Sequence, residues 1–319
     1  MRILITGVHG FMGSNLVESL SKVHTIFGLD IVSPATSGVE RTYSWDDLEQ
    51  GNVPVPDAII HLAGKAHDVQ NKAVAEEYFM VNTTLATRIY DYFTAHSEVK
   101  KFIFFSSVKA AVDKVPGDVL TEDVKPCPVG PYGESKVKAE QYIQANLANA
   151  PETFSGRDVI ILRPCMIHGP GNKGNLNLLY RILSKGIPSP LGAFDNRRTF
   201  TSIENMKFII SRLLECKVES GVYNVADDDA ISINALVEEM CLAMGRKPRI
   251  WRIPRALVKA VAKIGDFIHL PLNTDRLEKL TENYVASNAK IKRALGIDSL
   301  PVKAQDGIRH TVESFSKKP

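Results

Sequence analysis

The chain has 319 residues, 44% of them hydrophobic and 24% charged, which suits a globular protein with a full core and excludes disordered and fibrous classes. Its 39 basic and 36 acidic residues are intermixed and leave a net charge of +3, so no concentrated cationic footprint for nucleic acid is present. Cys127, Cys165, Cys216 and Cys241 are scattered without a CxxC pair and read as reduced thiols, not as a disulfide framework.

In chain order, the first element is a strand, RILIT (2–6), directly after Met1 and without the basic head and cleavage site of a signal peptide; a cytoplasmic protein is expected. Short apolar runs recur at HTIFGL (24–29), AIIHL (58–62), KFIFF (101–105) and VIILR (159–163). Their Ile, Phe and Val content is that of strands buried on both faces of a parallel sheet. Helical patterns separate them at 11–22, 75–96 and 132–149. Strand–helix alternation predicts right-handed crossovers and a doubly wound α/β sheet of Rossmann type. After Arg163 the rhythm breaks at Pro164, Gly169, Pro170, Gly171 and Gly174, and helices dominate, with GVYNVA (221–226) as a strand returning to the sheet. Segment 256–272 is strongly apolar, but Lys259, Lys263 and Asp266 prevent it from spanning a bilayer. Its Leu257, Val261, Ile264, Phe267 and Ile268 recur at helical spacing and predict an amphipathic helix packed on the protein's own core, with no membrane partner.

The run Thr6-Gly7-Val8-His9-Gly10-Phe11-Met12-Gly13 joins the first strand to the first helix. Glycines serve there because the turn is tight, the backbone must approach a pyrophosphate, and helix and strand pack closely. The helix N-terminus presents N–H groups and the positive end of its dipole to phosphates. Gly7, Gly10, Phe11, Met12 and Gly13 are therefore candidate dinucleotide contacts. Asp30 ends the second strand, where a carboxylate accepts hydrogen bonds from both hydroxyls of an adenosine ribose and repels a 2′-phosphate. Residues 31–38 contain no Lys or Arg, so NAD is expected; Arg41, in the next segment, is what keeps NADP open. On this basis 1–165, with 199–226 returning to it, is expected to be an NAD-binding domain, and 166–198 with 227–319 a smaller, mainly helical substrate-binding region.

Tyr132-Gly133-Glu134-Ser135-Lys136 opens a helix, and a spacing of four puts Tyr132 and Lys136 on one face. A free tyrosine has a pKa of about 10, so to act as a base near neutrality it needs a cation such as Lys136 beside it. Ser106-Ser107 follows the strand KFIFF, at the carboxyl end where open α/β sheets place ligands. Ser107 is expected to share a proton with Tyr132 and with a reacting oxygen, and Ser106 to satisfy backbone groups at the strand end.

The ordered set TGVHGFMG, Asp30, HLAG (61–64), FFSS, YGESK and LRPCMIHGPG resembles the extended short-chain dehydrogenase/reductase family along nearly the whole chain. The resemblance implies catalytic roles for Ser107, Tyr132 and Lys136, and cofactor contacts from the glycine loop, Asp30, Leu62, Ala63, Gly64, Tyr132 and Lys136. Two departures stand out: the stretch 43–48, where the family contacts adenine, is shortened, and the usual valine-tyrosine-glycine after the serine pair is replaced by Val108-Lys109-Ala110. Dehydratases of the family carry a Thr-Asp-Glu run at the position of Ser107-Val108-Lys109, so that activity is not expected here.

The second region resembles a clamp for a nucleotide-linked sugar. Asn175 begins a helix after the GPG turn, and Arg198, within Arg197-Arg198-Thr199-Phe200, resembles the family arginine that grips the diphosphate; a guanidinium fork suits phosphate oxygens. Ser107, Lys109, Asn175 and Arg198 form the candidate substrate set. No metal site is expected: consecutive Asp227-Asp228-Asp229 side chains diverge and precede a helix capped by Ser232. His67-Asp68 suits a substrate contact and a polar loop equally. The resemblance implies a C4 oxidoreductase of a nucleotide-diphosphate hexose, with UDP as nucleotide. A 4-ketohexose reductase comes first, a 4-epimerase second and a silent dinucleotide sensor a distant third. A homodimer is expected through the helices of 82–96 and 132–149, as in relatives.

Overall fold

Successive residues of each central strand feed opposite layers of helices, as a two-residue period requires. Ile3 and Ile5, Ile103, and Ile160 and Leu162 enter one core, while Leu4, Phe102 and Phe104, and Val159 and Ile161 enter the other. The computed structural model describes residues 1–65, 74–172, 175–268 and 273–316. His67 and Asp68 lie outside them.

The chain runs β1 (Arg2–Thr6), α1 (Phe11–Leu20), β2 (Thr25–Leu29), β3 (Arg41–Tyr43), α2 (Trp45–Glu49), β4 (Ala58–His61) and α3 (Ala75–Tyr78). A π-helical turn, Phe79–Thr84, leads into α4 (Leu85–Ala95), followed by β5 (Lys101–Phe105), α5 (Val108–Ala111), α6 (Pro131–Asn149) and β6 (Asp158–Pro164). Then come β7 (Met166–His168), α7 (Asn175–Ser184), β8 (Phe200–Ser202), α8 (Ile203–Glu215), β9 (Gly221–Val225), α9 (Ile233–Ala243), α10 (Arg255–Ile268), α11 (Thr274–Thr281), α12 (Ala289–Leu295) and α13 (Ala304–Ser316). Seven strands form one sheet in the order β3-β2-β1-β4-β5-β6-β9, every pairing parallel. This is the doubly wound fold expected, with the order reversing at β1 so that the crevice opens between β1 and β4.

One helical layer is α1, α8 and α12, whose Leu16, Ile209 and Ile291 are fully buried; the other is α4 and α6, with Tyr90, Phe93 and Ile143. β7 and β8 pair in a small second sheet. Beside it α7, α9, α10 and α13 share a third core built on Leu179, Leu236, Val258 and Val312. Arg157, with its guanidinium 3.8 Å over the Phe93 ring, donates to the Val99 carbonyl and to the last carbonyls of α4, satisfying a helix end.

The amphipathic helix expected in 256–272 forms as α10, but its orientation differs from expectation. Val258, Ala262 and Gly265 face the core, while Leu257, Val261, Ile264 and Phe267 are 56%, 42%, 57% and 84% exposed. Ala262 and Gly265 let the helix lie close to its neighbours beside the buried Val258, and the stripe of Leu257, Val261, Ile264 and Phe267 is left outside.

Candidate functional site

The glycine loop is shaped as a phosphate site demands. Gly7 has φ 68°, and a Cβ there would meet the Ala63 nitrogen at 2.8 Å, so the loop lies against the segment after β4. A Cβ on Gly13 would collide with the carbonyl oxygens of Gly7 and Val8, so only glycine lets α1 start so close to β1. Gly10 is the N-cap of α1 and offers no side-chain bond, which leaves the first-turn amides of Phe11, Met12 and Gly13 for a ligand anion. Asp30 follows β2 beside this loop: it accepts from the His9 N–H at 3.1 Å and from the Ile31 N–H at 2.7 Å. Arg41 pairs in register with Phe27, three residues before Asp30, and its guanidinium lies 4.7 Å from the Tyr43 ring centroid. An acidic ribose site, a side-chain-free phosphate cradle and a crevice at the sheet's reversal point together fit NAD.

At the crevice, Ser107 leaves β5 and N-caps α5, accepting from the Lys109 N–H at 3.2 Å. Its hydroxyl, beside Tyr132, draws the phenol's pKa down, but burial is the larger effect and leaves it above the ordinary value. The expected pull of Lys136 on Tyr132 is therefore not what sets the phenol here. Lys136 instead donates from Nζ to the Phe105 carbonyl at 2.8 Å, and burial lowers its pKa to about 8. Gly64 packs directly on it, since a Cβ there would stand 3.0 Å from Nζ and 3.1 Å from the Asn82 side-chain oxygen. Gly133 meets a comparable steric demand, because a Cβ would strike the Lys109 carbonyl; glycine lets α6 dock against the Ser107 loop.

Three buried residues behind these groups escape sequence reasoning. Asn82, turned inward by the π-helical Phe79–Thr84, accepts from the Lys65 N–H at 2.8 Å and donates to the Lys65 carbonyl and the Ser135 hydroxyl. Glu140, one turn beyond Lys136, takes two prongs from Arg163, at 2.9 and 2.5 Å, and a hydroxyl from Ser106. Ser106 thus serves this carboxylate, not the strand-end backbone as expected. His61, fully buried and stacked on Phe104, shares a 2.6 Å hydrogen bond with Thr6, whose hydroxyl also accepts the Ala63 N–H. Burial, and then the Lys136 charge, press the His61 pKa down to about 3. The spacing of Lys136 and Glu140 was a readable signal, and His61 opens the HLAG motif without its role being drawn from it; Asn82 had no signal apart from tertiary contact.

On the substrate side, α7 begins at Asn175 as expected. Arg198 is mostly buried and its Nη1 lies 3.2 Å from Glu282 Oε1 while also bonding the Lys279 carbonyl. Lys109 approaches the same Glu282 oxygen at 3.7 Å and lies over the Tyr284 ring at 4.4 Å. The two cations selected from sequence therefore converge on one carboxylate, Glu282, which sequence reasoning missed because it stands more than eighty residues from Arg198. Arg198 also lines a small recess with Phe200, Leu236, Lys279 and Leu280. The acidic run 227–229 is structural: Asp227 accepts from Ser202 and Asn205, Asp228 from Asn288, Lys292 and the Leu300 amide, and Ser232 caps α9.

The chain is similar to known proteins. The family model for the NAD dependent epimerase/dehydratase family matches residues 3–226. The chain is 31% identical to the UDP-glucose 4-epimerase of Vibrio cholerae, over 98% of this chain and 95% of that protein. It is 26% identical to the N-acetyl-alpha-D-glucosaminyl-diphospho-ditrans,octacis-undecaprenol 4-epimerase of Escherichia coli O157:H7, over 91% and 84% respectively. The solved structure of MoeE5 in complex with UDP-glucuronic acid and NAD superposes with a TM-score of 0.75 at 21% identity, covering 99% of each chain. A glycine cradle with an acidic ribose site, a serine–tyrosine–lysine cluster at the sheet's crevice and these matches lead to one conclusion: the chain is an NAD-dependent enzyme of the NAD dependent epimerase/dehydratase family.

Proposed function

We propose that the protein is a 4-epimerase of a diphosphate-activated hexose, most simply a UDP-sugar. The observation that carries this reading is the buried Tyr132 phenol beside Ser107 at the crevice, with Lys136 one turn behind it under Gly64. Tyr132 takes the proton from the C4 hydroxyl and returns it after the sugar has presented its other face; Ser107 relays that proton and orients the oxygen. Lys136 keeps a positive charge below the phenol. NAD, when bound through Gly7, Gly10, Phe11, Met12, Gly13, Asp30 and 62–64, would supply the acceptor for the C4 hydride and the donor that gives it back to the other face. Arg198, Lys109 and Asn175 hold the diphosphate, which replaces the Glu282 carboxylate as the anion facing the two cations.

The same three residues would serve the 4-ketohexose reductase placed first on sequence grounds. The two relatives described above are both 4-epimerases, and that supports the epimerase. The test is to incubate the enzyme with UDP-glucose, UDP-galactose and their N-acetyl forms, with catalytic NAD and no reductant, and to follow C4 configuration by NMR. A mixture of C4 epimers with the NAD pool conserved is expected. Turnover only of a 4-keto sugar, with one NADH consumed each time, would replace the epimerase by the reductase. Tight NAD binding with no turnover would point to the sensor.

A second reading concerns what carries the sugar. The E. coli relative acts on a sugar linked to a polyprenyl diphosphate, and the exposed apolar stripe of α10 favours a lipid-carried diphosphate for this chain as well. We also propose a homodimer through α4 and α6, whose layer exposes Met80 and Tyr142; a monomer mass by light scattering would dispose of it.

A further inference from the structure

The stripe on α10 does not stand alone. From 246 to 265 the chain carries seven basic residues (Arg246, Lys247, Arg249, Arg252, Arg255, Lys259 and Lys263) and no acid, so the rest of the molecule is net acidic. All seven are exposed. The next acid, Asp266, is engaged in accepting the Thr274 amide and hydroxyl at 2.9 and 2.6 Å. Trp251, 57% exposed, extends the apolar surface at the start of the segment. Arg246, Lys247 and Arg249 also line an open cavity of about 310 Å³ whose other walls include Leu183, Ile187 and Cys241. Exposed apolar side chains at helical spacing on α10, an exposed aromatic residue just before it and a run of exposed charges of one sign suit anionic headgroups over hydrocarbon.

A second copy of the chain is a poor occupant. An isologous contact through α10 would bring two such cationic clusters together. Among the described residues no helix is long and apolar enough to cross a membrane. We propose that this face docks the enzyme on an anionic lipid bilayer, with Trp251, Leu257, Val261, Ile264 and Phe267 seated among the headgroups and the basic residues paired with lipid phosphates. Lysine and arginine stems reach the phosphates from the flank of the helix while their heads stay wet. α10 packs on α11, whose Lys279 carbonyl accepts from Arg198, so docking sets Arg198 one helix away from the bilayer. This revises the expectation of no membrane partner, and it does not depend on which C4 reaction the site performs.

The test is co-sedimentation of the full-length protein with phosphatidylglycerol-containing vesicles and with pure phosphatidylcholine vesicles, with turnover of a soluble UDP-sugar measured on the same samples. Binding to the anionic vesicles alone, weakened by salt, is expected. Lys259→Gln and Lys263→Gln should each weaken it about five-fold, at about 1 kcal/mol per basic residue near the surface. Phe267→Glu and Ile264→Glu should abolish it without changing NAD binding or soluble turnover. No sedimentation, or sedimentation indifferent to lipid charge and to these variants, overturns the proposal. So does a fall in oligomer mass for Phe267→Glu, which would assign the stripe to a second copy. Failure of turnover with intact vesicle binding counts against the C4 reading alone.

Discussion

Replacing Glu140 with Gln keeps the shape of the side chain and removes only its charge. In the wild type Glu140 is completely buried and faces Arg163, whose side chain is 3% exposed, with Ser106 as a third partner. The variant leaves Arg163 buried without a counter-charge, a loss of about 3–5 kcal/mol when one member of such a pair is removed. At about 2 °C per kcal/mol for a chain of this size, the melting temperature should fall by about 6–10 °C. Arg163→Met in the same chain removes the stranded charge and should restore most of the loss. The electrostatic consequence is separate. Burial lowers the Lys136 pKa to about 8, and the Glu140 carboxylate is the group that opposes this. Without that carboxylate only the lowering remains, so Lys136 deprotonates at lower pH. The alkaline limb of kcat/KM should then move toward acid in both the single and the double variant. Thermal denaturation and a pH–rate profile on all three proteins test the two arms. An unchanged melting temperature for Glu140→Gln, or a double variant no more stable than the single, would refute the buried-pair argument; an unmoved alkaline limb would refute the link to Lys136.

Arg198→Ala should raise KM about ten- to a hundred-fold, the value of a charge-assisted contact, and leave NAD affinity intact. Tyr132→Phe should keep both ligands and lose kcat; steady-state kinetics with fluorescence titration of NADH separates the two, and an unchanged KM for Arg198→Ala would remove it from the clamp. Asp30→Ala should narrow the preference for NAD over NADP, and tighter NADP binding by the wild type would contradict the ribose assignment. His61, held neutral by burial with a pKa of about 3 against 6.5 when exposed, binds a proton in the unfolded chain before it does in the folded one. Stability should therefore fall as pH drops from about 6.5 to about 3, and His61→Gln should flatten urea midpoints over that window; an equally steep decline in the variant would exclude His61 as the cause.

The parallel sheet was legible because its central strands are apolar on both faces, and the glycine loop because each glycine answers a separate steric demand. β3 was missed: Arg41–Tyr43 is three residues long, lies at the sheet's edge and has a polar residue at its middle. β7 and β8 are as short, and they pair only with each other. Tyr132 and Lys136 were found from helical spacing, and Glu140 continues that spacing but was passed over because an isolated Glu on a helix usually faces water. Asn82 and Glu282 belong to the site only through contacts distant in sequence. In α10 the periodicity disclosed an apolar stripe but not what covers it. The buried face there is Val258, Ala262 and Gly265, and the last two are too small to carry weight in a hydrophobic pattern.

The wide turn at Phe79–Thr84 bears on how this site tolerates insertions and deletions. A π-helical turn accommodates one more residue than an α-helical turn while leaving the flanking helical segments in phase. A single deletion there should therefore let α3 and α4 fuse into a regular α-helix with Tyr90 and Phe93 still facing the sheet. What would be lost is the inward turn of Asn82, and with it the bonds that join Lys65 to Ser135 at the back of the crevice. Most one-residue deletions within a helix rotate everything beyond them by about 100° and unfold the protein. At this position chain length and fold are decoupled, so a shortened protein would remain a sound scaffold with a disabled site.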